Sequence, residues 1–135
     1  MIAEHKNFAL STEGNVQELA QRITALAHEI HTTLRRLSVS NNPLVYALLT
    51  EEYALNARAH ILFFDSKRFV ISDWHFEHDE LLNFLSALGE KLKNIETIDQ
   101  LEKLIAGLTL FSNSIISKNV RTISFLFKEL RDVVS

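Results

Sequence analysis

In the stretch SDWHFEHDELLNFLSALGEKLKNI, Ser72–Ile95, the apolar positions Trp74, Leu81, Leu85, Leu88, Leu92 and Ile95 recur every three or four residues, and His78 fills the one gap in the series. That spacing lies on one stripe of an α-helix and would scatter over both faces of a strand. It predicts a helix capped by Ser72 or Asp73, with Glu77, Asp79 and Glu80 in its first turns, where the helix dipole favours negative charge. The crowding of two histidines, four acids and the lone tryptophan within Ser72–Glu80 therefore has a structural explanation before any chemical one.

The same period extends in both directions. Upstream, Val16, Leu19, Ile23, Leu26, Ile30 and Leu37 predict a first helix with Asn15 as its cap, preceded by an arm over residues 1–14 docked through Phe8 and Leu10. Ser38 to Asn42 reads as a polar connector. Asn42-Pro43 then restarts a helix, because proline in the first helical position forfeits no intrahelical bond. Leu44, Leu48, Leu55, Ala59, Leu62 and Phe63 carry this second helix to about residue 70. Downstream, Thr97 and Gln100 have capping-box spacing ahead of Leu101, Leu104, Ile105, Leu108, Phe111 and Ile115. The Ser- and Asn-rich run Ser112–Asn119 predicts a break near Ser117, with one long kinked helix over residues 98–134 as the alternative. Val120, Ile123, Phe127, Leu130 and Val134 form the last stripe.

Composition supports this reading. Three glycines and one proline in 135 residues are too few for the turns of an all-β fold. The expected fold is all-α, an up-and-down bundle of four to five helices without a sheet, with residues 15–135 as a single domain. Zero cysteines exclude disulfides, thiolate metal sites and cysteine nucleophiles, and fit a cytoplasmic setting. A formal charge of −3, with basic residues no more than paired, gives no footprint for nucleic acid. No apolar window approaches the ~20 residues that span a bilayer, so no membrane role is expected. Isolated glycines exclude phosphate loops, and no Gly-x-Ser-x-Gly is present.

The histidines carry the remaining chemistry. His75 and His78 sit one turn apart on the predicted third helix and could share an ion with Glu52, an acid at the edge of the second helix's apolar stripe. On the first helix, His28-Glu29-Ile30-His31-Thr32-Thr33-Leu34 resembles the phosphoacceptor box of sensor histidine kinases, where a histidine followed by an acid on an exposed helix face receives a phosphoryl group. The resemblance covers seven residues. It departs from the family in having Thr33 where a proline is usual and no glycine-rich nucleotide-binding region. It therefore implies at most a phosphotransfer domain accepting on His28. Arg22 and His28 have a spacing similar to a motif of helical HEPN-type ribonucleases, but six positions along a helix leave them off a common face.

The last helix is apolar over more than one stripe. Surplus apolar surface on a short chain is the mark of a binding face. The expected function is a non-enzymatic interaction module of adaptor, chaperone-like or immunity type. It would bind a protein partner without a cofactor and form a homo-oligomer, a homodimer in the simplest case, with Phe125, Leu126, Val133 and Val134 at the interface. The alternative is a histidine-centred bundle working through His28 or through His75, His78 and Glu52.

Overall fold

A computed structural model describes residues 7–37 and 43–134, and within them every regular element is helical. The elements are α1 (Glu13–Leu37), α2 (Pro43–Phe64), a 3-10 turn (Ser66–Phe69), α3 (His78–Lys93), α4 (Ile98–Ile116) and α5 (Val120–Val134). The all-α bundle expected from the stripes is the fold. The connector at Ser38–Asn42, the cap assigned to Asn42 and the arm before Asn7 lie outside the described residues.

Chain direction alternates from helix to helix. Gln17 reaches Ser66 and His31 reaches Glu52, so α1 and α2 run antiparallel. Glu18 faces His78, Arg22 donates to Ser86 and Thr33 donates to the Leu92 carbonyl, so α3 runs parallel to α1. In space the helices form a ring, α1 beside α2, then α4, α5 and α3, which closes back on α1. Each inward stripe is buried, including Leu19, Ile23 and Ile30 of α1, Leu55 and Leu62 of α2, Leu85 and Leu88 of α3, and Phe111 and Ile115 of α4.

Local signals set most helix ends. The Thr12 hydroxyl accepts from the Asn15 amide at 3.1 Å and caps α1. Asn15, expected as the cap, lies inside the helix instead. Its side-chain amide donates to Asn7 Oδ1 at 2.7 Å and to the Phe8 carbonyl at 2.9 Å, which ties the arm down. Thr97 accepts from Gln100 N at 3.2 Å, and the Gln100 side chain accepts in return from Glu96 N at 3.2 Å, so the predicted capping pair operates. At the far end of α3, Thr33 and Arg36 of α1 donate to the carbonyls of Leu92 and Lys93 in its last turn and of Ile95 just beyond it.

Two boundaries differ from expectation. The second helix stops at Phe64, not near residue 70, and the third starts at His78, not at Ser72 or Asp73. Between them the chain makes a 3-10 turn and then runs extended across the end of the bundle. The reason is a partner distant in sequence. Leu10 O accepts from Ile71 N at 2.8 Å, Phe76 O accepts from Ala9 N at 2.6 Å, and Asn7 O accepts from His78 N at 2.8 Å, with one antiparallel bridge pairing Phe8 and Glu77. These bonds satisfy backbone groups that would otherwise be orphaned. Leu10 is fully buried and sits in the left-handed region at φ 63°. That conformation costs about 1–2 kcal/mol for a residue bearing a side chain, and burial of the leucine offsets it by about 2 kcal/mol.

The break between α4 and α5 falls where the Ser/Asn run placed it, so residues 98–134 form two helices. Lys118 N donates to Ile115 O and Asn119 N to Ser114 O, at 3.0 and 3.1 Å, with Lys118 at φ 57°. This is a Schellman end, in which the left-handed residue is usually glycine. Asn119 Oδ1 then accepts from Thr122 N at 3.2 Å and caps α5. Lys118 is exposed, so its side chain contributes little packing. Lys118→Gly is expected to stabilise the fold by about 1 kcal/mol, read as a raised denaturant midpoint at unchanged slope.

Candidate functional site

The extended run after the 3-10 turn alternates faces. Trp74 and His78 are buried and Phe76 is half-buried, whereas His75 and Glu77 are exposed. Two-residue alternation is the strand period, and it aims Trp74 and Phe76 at α5. Phe127 receives them, with ring centroids 5.8 Å from Trp74 and 4.5 Å from Phe76. Phe84 of α3 packs behind at 4.8 Å from Phe127. One turn along α5, the Arg131 guanidinium lies over two of these rings, 5.5 Å from the centroid of Phe76 and 5.2 Å from that of Phe127. At these distances the ring faces attract the guanidinium electrostatically.

These side chains line a cleft of about 500 Å³, completed by Ser124, Lys128 and Asp132. Arg131 also borders a second cleft of about 330 Å³, shared with Glu80, Asn83, Phe84 and Val134. Among the described residues no carboxylate forms an ion pair with Arg131 or Lys128. The site thus has an aromatic floor, two cations, Arg131 and Lys128, and one acid, Asp132, on its lining.

The four residues expected at an α5 interface differ in exposure. Phe125 and Val133 are exposed, at 63% and 51%, whereas Leu126 and Val134 are half-buried against the core. Val133 closes a small pocket with Leu104 and Leu130, and Val134 edges the second cleft beside Arg131. Trp74, Phe76 and Arg131, which line the cleft, are not among the residues the sequence marked as a site. The signal for them was present: Phe76 fits a two-residue alternation with Trp74 and His78, and it falls on the wrong side of the assumed helix.

The histidines are dispersed. His75 is exposed and rests on Phe8, with ring centroids 4.9 Å apart. Glu52 faces His31 Nδ1 at 3.3 Å, not His75 or His78. Among the described residues no three His, Asp or Glu side chains are grouped closely enough to hold a metal ion, so His75, His78 and Glu52 are not brought together. His28 is exposed on α1, as its phase implied.

His78 opens α3 at 2% exposure, and neither ring nitrogen has a hydrogen-bond partner. Its Nε2 lies 3.6 Å from Glu18 Oε1, a charged neighbour beyond hydrogen-bond reach. A buried polar group without a partner carries its full desolvation cost, about 1–3 kcal/mol. His78→Leu, which fills similar space without polar atoms, is therefore expected to unfold within about 1 kcal/mol of wild type or above it. His78→Ala, which leaves a hole, should lose about 2 kcal/mol or more in the same denaturant titration.

Comparison of the chain with protein-family models, with curated proteins and with solved structures finds no match in any of the three. No helix among the described residues is long and apolar enough to cross a membrane.

Proposed function

We propose that the protein is a small non-enzymatic regulatory or adaptor module that binds an extended segment of a partner protein in the cleft between α5 and residues 74–76. The segment would set an apolar or aromatic side chain against Phe76, the half-buried ring of the cluster, and a neighbouring carboxylate against Arg131 and Lys128. The observation that supports this reading is the Arg131 guanidinium over Phe76 and Phe127, with no carboxylate ion-paired to it among the described residues. A cleft of about 500 Å³ is the size that takes one or two side chains. A cation already drawn to the ring faces loses less freedom when it pairs, so more of the pairing energy appears as affinity. The cysteine-free composition supports a cytoplasmic setting.

Selection from a random peptide library supplies the test. Binding sequences are expected to carry Asp or Glu beside Leu, Phe or Trp. Trp74 is the chain's one tryptophan and lies in the cleft, so binding by peptides that lack tryptophan should shift its emission. Arg131→Glu should weaken binding by roughly tenfold or more, the worth of a charge-assisted hydrogen bond. The fold should persist in this variant, because Arg131 is exposed. Selected peptides without acids, or undiminished binding to Arg131→Glu, would overturn the proposal.

A further inference from the structure

The exposed positions of α2 are Pro43, Tyr46, Ala47, Thr50, Tyr53, Ala57, His60, Ile61 and Phe64, and none is Asp, Glu, Lys or Arg. The helix does contain charges, but they are turned to its neighbours. Glu51 accepts from Thr109 of α4, Glu52 faces His31 of α1, and Arg58 has a guanidinium nitrogen buried. Thr50 spends its hydroxyl on the Tyr46 carbonyl at 3.1 Å. A solvent-facing helix ordinarily places its charges outward; this one carries a second apolar face opposite the first.

Tyr46, Thr50, Tyr53, Ala57, His60 and Phe64 are separated by four, three, four, three and four residues. That is the seam of a coiled coil sustained from Tyr46 to Phe64. The seam is complementary to itself when reversed. Turning a second α2 antiparallel about Leu55 sets Tyr46 against the second copy's Phe64, Thr50 against its His60, and Tyr53 against its Ala57. On the flank, Ala47 meets the second copy's Ile61. Bulky side chains thus face small ones through the middle of the seam, and the helix dipoles oppose. A parallel pairing would stack each tyrosine on its own copy and align the dipoles.

The area suffices. Tyr46, Tyr53 and Phe64 are 64%, 74% and 81% exposed. At about 200 Å² per aromatic side chain, they leave on the order of 450 Å² uncovered per copy. Two copies, with Ile61 added, bury about 1,000 Å², the lower bound for a specific interface. We propose that this face is where a second copy of the chain docks, α2 against α2, antiparallel, with the two-fold axis passing near Leu55. The cleft beside α5 uses no residue of α2, so this assembly stands independently of the partner-binding proposal.

Light scattering across a dilution series tests the assembly. Wild type is expected at twice 15.5 kDa. Tyr53→Glu and Phe64→Glu are expected at the monomer mass with unchanged helical content and unchanged peptide binding at the cleft, and Tyr53→Phe should remain a dimer. Orientation is read by cross-linking, since the chain has no cysteine. Thr50→Cys and His60→Cys chains, each oxidised alone, should stay uncross-linked, and the mixture should give a disulfide heterodimer. A wild type that is monomeric at every concentration overturns the proposal. So does a dimer that survives Tyr53→Glu, or cross-linking of either cysteine variant alone.

Discussion

The chain between α2 and α3 has to cross the end of the bundle without helical hydrogen bonds of its own, and the bonds it lacks come from the arm. Ile71, Phe76 and His78 find their backbone partners in Leu10, Ala9 and Asn7, more than sixty residues earlier. Much else depends on that short pairing. It fixes the alternation that presents Trp74 and Phe76 to α5 and sets the residue at which α3 can begin. It also buries His78 beside Glu18. Asn15 binds the arm from inside α1, so the first helix and the crossover are held by the same few residues.

Energetically the bundle separates two kinds of helix. In α1 and α3 the inner stripe is apolar and the outer face carries charge, the usual arrangement for a helix packed on one side. In α2 the inner stripe through Leu48, Leu55 and Leu62 is matched by an outer one through Tyr46, Tyr53 and Phe64, and the charges are confined to the flanks. A helix with two opposed apolar faces shows no net amphipathicity and resembles one meant for the interior. Exposed aromatic rings in such a row retain an unfavourable contact with water worth about 25 cal/mol per Å².

The stripes of α1, α4 and α5, the cap at Thr97 and the break near Ser117 could be read from sequence, because each depends on neighbours within about one turn. Residues 65–77 could not. Trp74 and His78, four apart, satisfy both the helical and the extended period, and only Phe76 separates the two. The deciding partner was the arm, whose described residues before α1 show no period. The apolar surplus of the chain was also legible, and Phe125 and Val133 are exposed as expected, but its larger share on α2 was not. Apolar residues on both faces of α2 blur its period, so the stripe through Leu48, Leu55 and Leu62 hides the one through Tyr46, Tyr53 and Phe64.

Arg131 lies over two rings rather than against a carboxylate, and the two kinds of contact respond differently to ionic strength. Attraction between the cleft's cations and a distant acid is screened beyond about 8 Å at physiological salt. Contact between a guanidinium and the rings beneath it involves no mobile counter-ion and lies well inside that length. Added salt should therefore slow the arrival of an acidic segment and leave its departure, governed by ring contact and desolvated pairing, almost unchanged. A cleft built this way would respond to the ionic state of its surroundings through how often it is found, not through how long it holds.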